Sequence, residues 1–93
     1  MSSDPFFRMV IADVFFIRGR GTIVTGQIEA GTLNTGDDIF LLHVRGGRRA
    51  VTVDGIEMFR KQLSEAKAGD NVGLLLRGVQ KQDVDPGDAL VGG

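Results

Sequence analysis

Short apolar runs separated by glycine-containing turns fill this chain, and apolar residues recur at every second position rather than at helical spacing. The first run, Phe6 to Ile17, is the longest. At period two, Phe7, Met9, Ile11, Phe15 and Ile17 share one face, with Asp13 among them. Phe6, Val10, Val14 and Phe16 occupy the other face, so both sides are apolar. A strand with one face in a small core alternates more cleanly. The pattern therefore predicts a strand covered on both sides, or an outer face of Phe6, Val10, Val14 and Phe16 that docks a partner.

Gly19-Arg20-Gly21 predicts a turn, and Thr22 to Glu29 reads as the return strand of a hairpin ending at Ala30-Gly31. Ile39 to Val44 is the next strand. Arg45-Gly46-Gly47-Arg48-Arg49 makes a polar tip, and Val51 to Met58 runs back. Leu63 anchors a short segment before Ala68-Gly69, Asn71 to Leu76 is another strand, and Ala89 to Val91 is the last. Met58 to Lys67 contains helix formers, but Met58, Phe59 and Leu63 are too few for an apolar stripe. Strand and turn is the reading there.

One local pattern occurs three times: Gly36-Asp37-Asp38-Ile39, Gly69-Asp70-Asn71-Val72 and Gly87-Asp88-Ala89-Leu90. Glycine supplies unusual turn dihedrals, aspartate bonds local backbone, and the apolar residue starts an inward strand face. The spacings are unequal, which makes this a repeated turn and not a solenoid. So many short strands would leave sheet edges exposed unless the sheet closes. The predicted fold is all-β, a closed antiparallel barrel over residues 6–92, with residues 1–5 loosely held.

Composition narrows the function. The 93 residues suit one core, and 42% hydrophobic with 25% charged residues is ordinary for a globular domain. A formal net charge of −1 gives no global attraction to nucleic acid or anionic lipid. There is no cysteine and one histidine, which removes disulfides and leaves no metal site to expect. Met1 to Pro5 lacks the features of a signal peptide, and no apolar run reaches the length of a membrane span. A soluble, cytoplasmic chain without a membrane partner is expected.

Candidate chemistry is sparse. No phosphate-binding loop of the G-x-x-x-x-G-K-[ST] type occurs, so no enzyme activity and no cofactor are expected. Gly19-Arg20-Gly21 is a turn rather than a dinucleotide fingerprint, because Val24 replaces the third glycine and a strand follows. His43 has no serine or carboxylate beside it and reads as structural. Arg45, Arg48 and Arg49 could hold phosphate or RNA, although a solvated hairpin tip is the favoured reading. Glu57 is either a surface carboxylate paired with Arg60 or Lys61, or a polar group at the mouth of a shallow apolar pocket.

The blocks Gly55-Ile56-Glu57-Met58-Phe59-Arg60-Lys61 and Ala68-Gly69-Asp70-Asn71-Val72-Gly73-Leu74-Leu75-Leu76-Arg77-Gly78 resemble elongation factor Tu. Asp13-Val14-Phe15 and Gly19-Arg20-Gly21-Thr22-Ile23-Val24-Thr25-Gly26 are similar to the same family's hairpin, so the resemblance runs from about Pro5 to Leu90. It implies a six-stranded closed barrel of the translation-factor domain 2 type, packing on a GTPase domain and receiving the 3′ end of aminoacyl-tRNA. By the matching motifs it implies that Glu57 meets the adenine, that Ile17, Ile23 and Leu75 line the pocket, and that Arg60 sits near the 3′ end. Backbone at Phe59 and Asn71 would meet the aminoacyl group. Gln27 and Ala30, and the tip with Arg45 and Arg48, depart from the family's usual residues. Two other roles fit the residues: a free-standing protein-interaction module using the first apolar run, or a ribosomal-RNA contact through the basic tip.

Overall fold

Glycine turns divide the chain into ten strands in the computed structural model, which describes residues 3–93. They are β1 (Arg8–Val10), β2 (Asp13–Ile17), β3 (Gly21–Ala30), β4 (Thr32–Asn34), β5 (Asp38–Leu42), β6 (Arg48–Met58), β7 (Lys61–Leu63), β8 (Glu65–Lys67), β9 (Asn71–Arg77) and β10 (Ala89–Val91). A 3-10 turn at Lys81–Asp83 is the sole helical element among the described residues. No helix there is long and apolar enough to cross a membrane.

Six of these strands close a barrel. The antiparallel order is β1, β10, β5, β6, β9 and β3, and β3 pairs back onto β1. β2 extends the sheet beside β3, β7 folds back on β6, and β4 pairs with β8 as a separate two-stranded sheet. Inward positions alternate along each strand: Val72, Leu74 and Leu76 on β9, Ile39 and Leu41 on β5, Val51, Val53 and Ile56 on β6. Each fully buried side chain of this size contributes roughly 1.5–3 kcal/mol from burial.

The first apolar run is two strands, not one. The Ile11 N–H donates to the Asp88 carbonyl at 2.8 Å, while the next N–H, of Ala12, donates to Thr25 at 2.7 Å on the opposite side. Both β1 and β2 run beside β3, but the four steps from Met9 to Asp13 stand against only three from Ile28 to Thr25, so one extra residue enters the ladder and the inward set shifts by one position. Phe7, Met9 and Ile11 are buried, after which Val14 faces the core and Phe15 and Ile17 turn outward. The expected common face of Phe7 through Ile17 is thus broken at its middle. Gly26 permits the close backbone approach at this irregularity, since a Cβ there would lie 2.4 Å from the Val10 carbonyl oxygen.

The three Gly-Asp sites share one geometry. Asp37, Asp70 and Asp88 each donate a backbone N–H to the carbonyl three residues earlier, at 3.0 to 3.1 Å. Each also accepts, on a carboxylate oxygen, the N–H of that same earlier residue: Asn34, Lys67 and Asp85, at 2.9, 3.0 and 2.9 Å. The glycine before each aspartate has φ of +94° or +95°, the left-handed conformation expected at the third residue of a type II turn.

Residues 3 and 4 of the N-terminal segment are hydrogen-bonded to the rest of the chain. Asp4 accepts the N–H groups of Phe6 and Thr32, both at 2.9 Å, and Ser3 Oγ accepts the Gly93 N–H at 2.8 Å. Met1 and Ser2 lie outside the described residues.

Candidate functional site

Strand register brings distant residues into rows on the outside of the barrel. One row runs Phe15, Ile23, Leu75, Gly55 across β2, β3, β9 and β6, and the next runs Asp13, Thr25, Gly73, Glu57. Two of the eight positions are glycines in strand interiors, which open the surface where side chains would otherwise stand. A Cβ on Gly73 would meet Ile23 Cγ2 at 3.4 Å, and one on Gly55 would lie 3.7 Å from Leu75 Cβ. The result is a shallow, glycine-floored groove.

The groove contains two adjoining recesses that share Glu57. The first, of about 350 Å³, is lined by Arg20, Gly55, Glu57, Gln62 and Leu75 among others. The second, of about 360 Å³, is lined by Ala12, Thr25, Glu57, Phe59, Asn71 and Gly73 among others. Of the residues singled out from sequence, Glu57, Leu75, Phe59 and Asn71 therefore come together. Ile17 and Ile23 lie on the same outer face by register but line neither recess, and Ile23 is buried. Arg60 stands at the hairpin tip and also lines neither.

Glu57 is paired, although with neither residue that its sequence neighbourhood suggests. Arg20, from the β2–β3 turn, grips it with both guanidinium nitrogens: Nη2 on Oε2, and Nη1 on Oε1 at 3.4 Å. Both side chains are partly exposed. Opposite them Asp54, another residue of the first recess, is held by Arg77 at 2.6 Å. That carboxylate raises the Arg77 pKa above its usual value, first through the hydrogen bond and then through charge.

The tip between β6 and β7 is the strained part of the site. Met58 pairs with Lys61, leaving a loop of two residues, Phe59 and Arg60, with φ of +53° and +63°. These are the non-glycine residues with positive φ among those described. A two-residue hairpin loop of this hand ordinarily takes Asn-Gly, and bulky residues there cost about 1–2 kcal/mol each. Phe59 is also 87% exposed, so no burial compensates.

At the basic tip Arg48 stands apart from Arg45 and Arg49. Arg48 stacks on the Phe40 ring, 3.7 Å from its centroid. Arg49 donates to the Gly78 carbonyl at 2.9 Å and pairs with Asp83 at 3.1 Å. Arg45 and Arg49 line one recess with His43, Asp83, Asp85 and Asp88, where acidic groups offset them. The first run likewise divides: Phe6 and Phe16 are exposed, whereas Val10 and Val14 are half-buried.

His43 has a carboxylate partner that its sequence neighbours do not reveal. Its Nδ1 lies 3.1 Å from Asp88 Oδ2, and the Val44 N–H donates to Asp88 Oδ1 at 3.0 Å. Burial pushes the Asp88 carboxyl up, but the N–H groups of Val44 and Asp85, with His43, outweigh it and hold the carboxyl below its ordinary range.

Residues 21–91 match the family model for elongation factor Tu domain 2. The chain belongs to that family. The match covers the barrel from β3 to β10, including Glu57, both groove glycines and the β6–β7 tip. The six-stranded closure agrees with the family's barrel, a non-catalytic module of translational GTPases. Sequence reasoning passed over three groove residues, Arg20, Gly55 and Gly73. Isolated glycines within strand patterns were the available signal for two of them. Arg20 carried none, because its partner is 37 residues away.

Proposed function

We propose that the Glu57 groove takes up the 3′-terminal aminoacyl-adenosine of aminoacyl-tRNA, and that the barrel works docked on a GTPase domain during translation elongation. Glu57 at the junction of two recesses is the observation that carries this reading. A purine needs flat apolar contact with a polar group at the rim, and Leu75 with Gly55 supplies the former beside Glu57. The second recess, with Phe59 and Asn71, is then the seat of the aminoacyl group. Such a role belongs to the cytoplasm. Exposed Phe6, away from the groove rows, is available to a protein neighbour.

Both recesses are open, so the isolated barrel binds weakly, and affinity in translation comes from several surfaces acting together. Titration of the isotopically labelled chain with a short 3′-CCA aminoacyl fragment tests this. Amide signals of Glu57, Phe59, Asn71 and Leu75 should move, and Glu57→Ala should weaken the response by about tenfold. An unchanged spectrum at millimolar fragment would rule the reading out.

A further inference from the structure

β2 is the one long strand outside the closed ring, and β3 is its single strand neighbour. The other edge of β2 faces the segment around the 3-10 turn, which does not pair with it. That segment is bonded to itself: the Gln80 N–H donates to the Asp83 carboxylate at 2.9 Å, and the Asp83 N–H donates to the Gln80 carbonyl at 2.9 Å. The outward backbone groups of Asp13–Ile17 thus have no ladder partner among the described residues. Between the strand and that segment runs an apolar-walled crevice of about 690 Å³, lined by Phe16, Val79, Gln80, Lys81 and Gln82.

The strand itself is unusually apolar for an open edge. Phe15, Phe16 and Ile17 are 50%, 59% and 41% exposed in succession, where soluble proteins ordinarily place charge or proline. The charges around it are polarised. Arg18 follows the strand and Lys81 borders the crevice, and neither has an ion-pair partner among the described residues. Asp13 stands exposed at the opposite end.

We propose that this edge docks an extended peptide strand that adds antiparallel to β2, with carboxylates at its N-terminal end and alternating apolar side chains behind them. The free backbone edge supplies the ladder, and the crevice beside Phe16 takes an apolar side chain. Arg18 and Lys81 receive the carboxylates. Asp13 repels them, and so selects the antiparallel direction. RNA fits less well, because two free cations beside an apolar crevice make a poor phosphate track.

The probe is an end-capped peptide of two glutamates followed by alternating valine, phenylalanine and threonine, titrated into the labelled 93-residue chain. Amide shifts should be confined to residues 13–18 and 79–82, with slowed hydrogen exchange at the outward β2 amides. Phe16→Glu and Lys81→Glu should each weaken binding by about tenfold. Phe16 is mostly exposed, so an otherwise unchanged spectrum certifies that the variant folds. A lysine-headed peptide should recover affinity for Lys81→Glu. Several results would each overturn the proposal. These are no shifts at millimolar peptide, equal binding of a peptide N-methylated along its pairing edge, or tighter and steeply salt-dependent binding of a uridine oligonucleotide. A concentration-dependent mass in sedimentation, abolished by Phe16→Glu, would instead assign the edge to a second copy of the chain.

Discussion

At Gly36, Gly69 and Gly87 the backbone turns through positive φ on a residue without a Cβ, and an aspartate side chain then locks the turn. At the β6–β7 tip it turns through positive φ on Phe59 and Arg60, with no aspartate lock of that kind. The first three sites satisfy local preference and tertiary packing together. The fourth violates local preference and leaves its aromatic ring in water. Strain of this kind persists where the surrounding structure over-determines it, and it gathers at binding sites. The contrast separates turns in which local preference and fold agree from one in which they conflict.

The largest expected effect is at the most deeply buried lock. Asp88 is 0% exposed and serves Val44, Asp85 and His43 at once. Asp88→Ala would strand those donors and should cost about 3 kcal/mol in urea unfolding. The equivalent Asp70→Ala, at a surface turn, should cost about 1 kcal/mol. Equal losses at the two positions would mean that burial does not set the strength of the lock.

Next come the glycines and the strained pair, with opposite signs. Gly36 and Gly69 have open space where a Cβ would stand, so alanine there meets only the dihedral penalty and should destabilise by about 1–2 kcal/mol. Replacing Phe59 and Arg60 by Asn and Gly should stabilise by a similar amount, about 1–2 kcal/mol. If the tip is strained for binding, the same replacement should diminish the response to the aminoacyl fragment. A stability gain with undiminished binding would remove the tip from the site.

Acid should act on three carboxylates that backbone N–H groups hold in the folded chain. Asp4, Asp83 and Asp88 all have folded-state carboxyls below their ordinary value. For Asp4 and Asp83 the leading cause is a backbone N–H, from Phe6 and Gln80 respectively. A depressed folded pKa contributes stability that is complete above the unfolded value, near about 4, and is lost as pH falls through the folded value. The melting temperature should therefore be level above that point and drop below it. Asp88→Asn should flatten the drop, and an unaltered acid profile in that variant would contradict the assignment.

Legibility in the sequence followed the range of the interactions. The Gly-Asp turns were readable because each is closed within four residues, glycine and acid side by side. Strand positions such as Val72, Leu74 and Leu76 were readable because alternation is local too. The break between Met9 and Asp13 was not, since the extra residue shows only in the pairing with Ile28 and Thr25 of β3. The groove was half readable: the resemblance marked Glu57, Leu75, Phe59 and Asn71, yet Ile23 packs under Gly73 instead of lining a recess. His43 with Asp88, and Glu57 with Arg20, are pairings across 45 and 37 residues that no window along the chain contains.

The smallest effect on stability is the one that bears most directly on the groove. Arg20 and Glu57 are both partly exposed, and an exposed ion pair contributes about 0–1 kcal/mol. Arg20→Ala should therefore leave the unfolding midpoint almost unmoved. Its influence should appear in binding, because Glu57 loses the guanidinium that fixes its carboxylate at the junction of the two recesses. A several-fold weaker fragment response in Arg20→Ala, approaching that of Glu57→Ala, would show that orientation of the carboxylate matters as much as its presence. Arg20→Lys keeps the charge but not the two-pronged grip, so it should recover little of the loss. Full recovery by lysine would reduce the role of Arg20 to simple attraction. The groove would then resemble the Gly-Asp turns less than it resembles an ordinary charged surface.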